Sequence, residues 1–229
     1  MEFRTEQPGE YRTVENLVRE AFWNIYKPGC DEHLYLHQLR QSPVYLPQLS
    51  FTAWEDGKLV GQIACARSRV TWAQGGILDT ITFGPLAVLP EHQKQGVGLR
   101  LFSHALQQDR AQGEAAALIL GDPRYYGRVG LHCAERFDIS LEGLGHLVGL
   151  LALELIPGSL RRGQGVFQDG FPFSCSAEQL AGFDAQFPPK EKRVTAFQQE
   201  FQVMCSLHYT VTEDGYLQDS KRGAPDGSV

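Results

Sequence analysis

The chain has 229 residues, 42% of them hydrophobic and 21% charged, which is enough apolar mass for a real core and excludes disorder as the main state. Twenty-one basic against 27 acidic side chains give a formal net charge of −6, so nothing in the bulk charge favours nucleic acid. The most apolar late stretch, 147–156, carries Glu154 and falls far short of the roughly 20 residues of a spanning helix, so no membrane partner is expected.

The start of the chain lacks the basic-then-apolar layout of a secretory signal, and a cytoplasmic location is expected. Five cysteines at 30, 65, 133, 175 and 205 contain no C-x-x-C pair, so reduced packing thiols are expected, with neither a disulfide framework nor a zinc site. Val14, Leu17, Val18, Ala21 and Phe22 recur at helical spacing over 10–24, and Leu34, Leu36 and Leu39 do so over 31–40. Two helices therefore open the fold. The β-rich runs 49–54 and 59–71 are joined through Asp56-Gly57, a tight-turn pair, and predict a hairpin. A third strand is predicted over 77–89, with a bulge or bend at Gly84-Pro85, because proline lacks a ladder donor and glycine has no side chain to pack.

Leu99, Leu101, Phe102, Ala105 and Leu106 predict an amphipathic helix over about 98–112, stopped at Gly113. A short strand over 115–120, a helix of one or two turns over 123–128 ended by Gly130, and strands over 137–140 and 148–156 complete a mixed α/β order, α-α-β-β-β-α-β-α-β-β. Beyond Pro157 come Gly- and Pro-rich connectors, then a polar segment over 176–207 with helical stretches, then a Gly-rich polar tail from Glu213 that is expected to be flexible. Phe183, Phe187, Val194, Phe197, Phe201, Val203 and Met204 are too many large apolar residues for a free tail, so this region is expected to pack on the core or on a second subunit of a homodimer.

The most informative window runs from Leu86 to Leu99. A strand ends in Leu86-Ala87-Val88-Leu89-Pro90, a turn with Gly96 and Gly98 follows, and a helix begins at once. Glycines let backbone approach a ligand, and the unpaired N–H groups of a helix start point at the same spot, so the window builds an anion cradle suited to a pyrophosphate. It lacks both the third glycine of a dinucleotide fingerprint and the Gly-Lys-Ser/Thr of a P-loop.

Gln93-x-x-Gly96-x-Gly98 directly after that strand resembles motif A of the GNAT superfamily of acyl-CoA-dependent N-acyltransferases. Phe83-Gly84-Pro85-Leu86-Ala87-Val88, Leu120-Gly121-Asp122-Pro123-x-Tyr125-Tyr126 and the run 152–160 further resemble its YhbS-like bacterial subgroup. The resemblance implies a splayed central sheet flanked by helices over 1–168, and the change in composition beyond it marks a C-terminal extension over 169–212 and a tail over 213–229. It also implies acetyl-CoA as co-substrate, with Leu86, Ala87 and Val88 offering backbone to the pantetheine arm. Lys94, Gln95, Gly96, Val97, Gly98 and Leu99 would wrap the pyrophosphate, with Gln93 part of the same site.

In the family a tyrosine four residues before the glycine of a Gly-Phe pair protonates the departing thiolate. Here that spacing selects Tyr126, four before Gly130, with Leu131 replacing the usual Phe. Acyl transfer to an amine releases a thiolate that leaves more readily when a hydroxyl hydrogen-bonds it. Asp122 either caps the helix at Pro123, the reading its position favours, or places water. The base is not singled out: Asp79, Glu91, His92, Asp122 and a water chain all qualify. His33 and His37, four apart, read as ordinary helix surface, and Cys133 beside His132 is too close in sequence to imply a catalytic pair. The expected function is direct acetyl transfer to a primary amine of a small molecule or peptide; the alternative is a GNAT-folded acyl-CoA sensing module without an active acceptor site.

Overall fold

The computed structural model describes residues 1–206, 208–211 and 217–219. The chain opens on a strand, β1 (Glu2–Thr5), that its letters do not announce. Four residues are too few for a readable period, and it becomes a strand by pairing antiparallel with β2 (Phe51–Glu55) at the sheet edge. Between the two lie α1 (Tyr11–Phe22) and α2 (Glu32–Leu39), both close to their expected spans. Val14, Leu17, Val18 and Ala21 bury one stripe of α1 against Leu36 and Leu39 of α2 and against Ala64, Ala66 and Ala87 of the sheet.

The hairpin of β2 and β3 (Lys58–Trp72) turns at Asp56 and Gly57, both at positive φ. Side chains alternate across β3, Ile63 and Cys65 entering one core and Ala64 and Ala66 the other, so the sheet is buried on both faces. β4 (Ile77–Val88) pairs antiparallel with β3, and its register shifts between the Ile63 and Cys65 pairs, where Gly84-Pro85 inserts the anticipated bulge. The helix α3 (Val97–Ala111) then crosses over to β5 (Ala116–Leu120), and α4 (Pro123–Tyr126) continues as a 3-10 turn to Val129 and stops at Gly130, φ 93°. α3 lies on the face of Ile63, Cys65 and Ile81, opposite to α1 and α2.

The remainder has more strands than its periodicity suggested. β6 (His132–Cys133), β7 (Ile139–Leu141), β8 (His146–Leu147), β9 (Leu150–Glu154) and β10 (Gly165–Gln168) follow. The main sheet runs β1-β2-β3-β4-β5-β9-β6, with β10 joining the far half of β3 and pairing in parallel with β7. β10 falls in the stretch read as connector; its four residues are recruited because β3 outruns β2 and leaves an edge to satisfy.

The C-terminal segment contributes α5 (Ala177–Asp184), α6 (Ala196–Ser206) and the strands β11 (His208–Val211) and β12 (Leu217–Asp219). Ser176 and Gln179 form a capping box at the start of α5. Phe183 and Phe187 pack on Leu34 of α2, and Phe197 and Phe201 on the ring of Tyr26. Val194 is exposed, and the side chains of Val203 and Met204 lie outside the described residues. Of the segment expected to be a tail, 217–219 forms β12; the rest lies outside the described residues.

A buried polar network ties α1 and α2 to β1. The Arg40 guanidinium, its side chain nearly buried, donates to Glu6 at 2.5 and 3.2 Å and to Glu15 at 3.0 Å, while Tyr45 donates its hydroxyl to Glu6 at 2.7 Å. Every member is satisfied, which is what makes such a network tolerable in a low-dielectric interior.

Asp109 on α3 is the counter-example: fully buried, with neither carboxylate oxygen hydrogen-bonded. Burial first, then the charge of Glu114, pushes its carboxyl from 3.8 up to about 8. The folded value lies above the unfolded one, so the native chain keeps this group protonated and loses relative stability as pH rises through the window from about 4 to about 8. Asp109→Asn removes that dependence. It should stabilise by about 2 kcal/mol at pH 8, a Tm rise of roughly 4–8 °C, and change little at pH 4. Thermal melts of both proteins at the two pH values check this, and a pH-independent difference would contradict it.

Candidate functional site

β4 and β5 run parallel yet share a single backbone pair, Ile81 with Ala117. Beyond it β4 follows β3 to Val88, and β5 follows β9 to Leu120, so the two strands part and expose backbone polar groups between them. Leu86, Ala87 and Val88 lie on the parting arm of β4, paired to β3 at Ile63, Gln62 and Gly61.

At the open end of this cleft β4 leads through a 3-10 turn, Pro90–His92, into α3. Two glutamine amides hold the loop: Gln93 donates Nε2 to the Val88 carbonyl at 2.9 Å, and Gln95 donates Nε2 to the Glu91 carbonyl at 2.8 Å. Lys94 at φ 60° and Gly96 at φ 80° reverse the chain so that α3 starts at Val97 aimed at the cleft. The first turn of α3 carries no acidic residue, and its leading N–H groups have no intrahelical acceptor. The structure therefore brings the sequence-predicted residues 93–99 into one positively polarised loop and helix start, exposed over 93–96 and buried at Val97 and Gly98. Gln93 serves there through the loop it braces.

A groove of about 460 Å3 extends from this point along α3, lined by Phe3, Leu99, Arg100, His104, Arg128 and Val129 among others. His104 packs against the rings of Phe3 and Phe51, and burial lowers its pKa, while Arg100 and Arg128 bring two cations to the same groove. This groove has no sequence signature, because Phe3, α3 and the turn after α4 meet only in the fold.

The tyrosine pair closes the other side of the cleft. Asp122 caps α4 by accepting from the Arg124 N–H at 2.8 Å and also pairs with the Arg124 guanidinium, which holds its carboxyl below the usual range. The Tyr125 hydroxyl sits against Gly98, where a Cβ would stand 2.5 Å from it. The Tyr126 ring lies on Gly121 in the same way, and continues an aromatic row through Phe102, at 5.1 Å, to Phe83, at 4.9 Å from Phe102. The two tyrosine rings meet edge to face at 4.9 Å. Burial first, then the phenols of Tyr125 and Tyr26, raise the Tyr126 hydroxyl, which stays protonated and is a hydrogen-bond donor at any physiological pH.

The other acid–base candidates stand elsewhere. Asp79 is exposed opposite Arg69, before the strands part; His92 pairs with Glu55 at 3.3 Å; Glu91 is exposed on the turn. His33 is not surface, as its helical position suggested, but fully buried. It lies 3.5 Å from the Cys30 sulfur and 3.4 Å from Asp184, which also accepts from the Arg19 Nε at 2.6 Å. Burial raises the Cys30 thiol and lowers His33 to about 4, so Cys30 and His33 are neutral packing groups beneath α5, beside the carboxylate that pairs with Arg19, and not an activated nucleophile.

A mixed sheet that opens between two parallel strands onto a glycine-cradled helix start defines an N-acetyltransferase architecture. Residues 2–134, more than half of the chain, match the acetyltransferase (GNAT) domain family, and the chain belongs to that family. It is 29% identical over 139 residues to the uncharacterized N-acetyltransferase YhbS of Escherichia coli K12, an overlap of 61% of this chain and 78% of that protein. The crystal structure of Escherichia coli YhbS in complex with CoA superposes with a TM-score of 0.63 at 26% identity, covering 72% of this chain and 87% of YhbS. A GNAT family acetyltransferase from Brucella melitensis in complex with acetyl-CoA gives a TM-score of 0.56 at 25% identity, covering 73% of this chain and 94% of that one.

The glycine contacts generate a paired prediction. Gly121→Ala places a methyl group inside the Tyr126 ring and should cost about 2 kcal/mol, whereas Gly127, with open space around it and an ordinary negative φ of −58°, should accept alanine with no loss. Urea unfolding of the two variants tests this, and equal midpoints would show that Tyr126 is not seated on Gly121.

Proposed function

We propose that this protein transfers an acetyl group from acetyl-CoA directly to a primary amine, with Tyr126 as the hydrogen-bond donor to the departing thiolate. The observation that carries the reading is the cleft itself: the β4 backbone at 86–88, paired to β3 but not to β5, leads from the 93–99 loop to a partly buried, protonated phenol. The pantetheine arm fits the gap as a short added strand, taking main-chain hydrogen bonds from Leu86, Ala87 and Val88. Lys94, Gln95, Gly96, Val97, Gly98 and Leu99 hold the pyrophosphate through backbone N–H groups. The groove between Arg100 and Arg128 accommodates the nucleotide end, with two guanidinium groups for its phosphate.

In the reaction the amine nitrogen attacks the thioester carbonyl carbon, the C–S bond breaks, and Tyr126 donates its hydrogen bond to the sulfur as negative charge develops there. The amine's proton leaves to solvent. Holding thioester and amine side by side supplies much of the rate, and the phenol contributes where charge appears. Among the described residues no helix is long and apolar enough to cross a membrane. We propose the organisation to be a catalytic domain over 1–168 with an extension over 169–212 that packs on it.

Free-thiol release from acetyl-CoA, followed against polyamines, amino acids, aminoglycosides, arylalkylamines and peptides, tests the activity. A saturable response to an amine is expected, and thiol release that no amine accelerates would leave only a sensing module. Tyr126→Phe should lower kcat by about 10²-fold with little change in acetyl-CoA affinity, and Tyr125→Phe should be much milder. The opposite order, or full kcat in both with chemistry rate-limiting, refutes the assignment. Gly96→Val should weaken CoA binding by calorimetry, and Arg100→Ala should narrow the preference for CoA over dephospho-CoA by about tenfold. Unchanged affinities would remove the loop and the groove from the binding site.

A further inference from the structure

The cleft has two faces. α3 and the 93–99 loop cover one, and α1 and α2 lie on the other. Along β5, Ala117 and Ile119 enter the α3-side core, while Ala116 and Leu118 enter the core on the opposite face. Alternation puts Leu120 with the latter, and its side chain is 52% exposed at the end of β5, just past the point where the strands part. A leucine on the acceptor face at the mouth of the cleft, half in water, is an incomplete apolar surface.

Around that mouth the chain gathers aromatic rings. Tyr26 follows α1 on the same face, beside Phe22, which packs on the cluster that holds Ala87 of the parting β4 arm. Phe201 and Phe197 of α6 stand 4.2 and 6.2 Å from the Tyr26 ring, Phe22 stands 5.9 Å from it, and Phe197 is 43% exposed. The extension then returns to the other lip of the cleft: β11 pairs with β8, and two residues after β8 the Gly149 carbonyl accepts from the Gly121 N–H at 2.8 Å, at the end of β5. The C-terminal segment, which lies beyond the matched family domain of 2–134, is thereby anchored on both sides of the mouth.

We infer that Tyr26, Phe197, Phe201 and Leu120 form the wall that receives the acceptor, and that the acceptor is a primary amine carried on an aromatic or apolar body, such as an arylalkylamine. The inference rests on the acetyl-transfer reading for the placement of the reacting amine beside Tyr126. Its chemistry is independent of that placement. None of the four side chains is charged, so a polyamine or aminoglycoside would surrender hydration there without gaining a carboxylate, whereas an aromatic body stacks on rings already in contact distance of one another. One ammonium at the Tyr126 end gains the faces of Tyr26 and its neighbours.

Calorimetric titration of 2-phenylethylamine and of spermidine into the full-length protein, with and without CoA, decides it, alongside kcat and KM for both amines. Phenylethylamine should bind at least tenfold more tightly than spermidine and be acetylated with the higher kcat/KM. Phe197→Ala and Leu120→Gln, both at exposed positions, should each weaken phenylethylamine by about 5- to 10-fold in Kd and KM while leaving acetyl-CoA affinity unchanged. Tyr26→Phe, which keeps the ring, should bind as the parent does, and Tyr26→Ala should not. Equal or tighter spermidine binding, no phenylethylamine binding, or indifference of phenylethylamine to both Phe197→Ala and Leu120→Gln overturns the acceptor assignment. Absence of acetyl-CoA binding sinks the acetyl-transfer reading instead, and the amine titrations without CoA still decide this one.

Discussion

The parting of β4 from β5 after Ile81 and Ala117 is the constraint on which the rest of the site depends. A parallel pair in the middle of a sheet normally zips along its length, because unpaired backbone N–H and C=O groups in an interior are costly. Here each strand has a stronger commitment on its other side, β4 to β3 through ten paired positions and β5 to β9 through five. The Gly84-Pro85 bulge bends β4 at the level where it would have to follow β5, and proline has no N–H to offer the ladder. The outcome is a wedge of unsatisfied backbone polarity open to an extended ligand.

Glycines set how closely the other parts approach that wedge. Gly96 provides the reversal that aims α3, and the φ of 60° at Lys94 shows that this reversal takes more than one residue. Gly98 and Gly121 act differently: each has a tyrosine ring or hydroxyl where its side chain would be, so α3, β5 and α4 come together around Tyr125 and Tyr126 only because two Cβ atoms are missing. Phe102, backed by Phe83, packs against the Tyr126 ring, so that its hydroxyl is positioned by packing.

The C-terminal segment is held by a different kind of interaction. Arg19, fully buried on α1, donates to Asp184 at the end of α5 and lies over Trp23 at 4.2 Å; Trp23 in turn donates its indole N–H to the Glu191 carbonyl at 2.9 Å. A buried guanidinium needs its carboxylate more than an exposed one does, so α5 is bound to α1 by a contact whose loss leaves a charge stranded. Lys190 adds a bond to Glu20 at 2.6 Å on the same side. The chain is then led across Tyr26 as α6, whose Phe197 and Phe201 rings pack on it.

The two opening helices, the 51–72 hairpin, the bulge in β4, the 93–99 loop with its helix start, and the spacing of Tyr126 to Gly130 are legible in the letters, because each is a local matter of periodicity, turn chemistry or backbone freedom within about fifteen residues. Asp122 as a cap was legible for the same reason, since its partner is two residues away. The rest depends on contacts between distant segments. β1 and β10 are strands because neighbours from far along the chain present them with an edge. His33 has the same spacing to His37 whether it faces water or a core, and it is buried because Phe183 and Phe187, 150 residues on, cover it. The Arg100 and Arg128 groove and the packing of Phe197 on Tyr26 are likewise assembled from separate segments, and contacts between distant segments leave no period in a linear sequence to read.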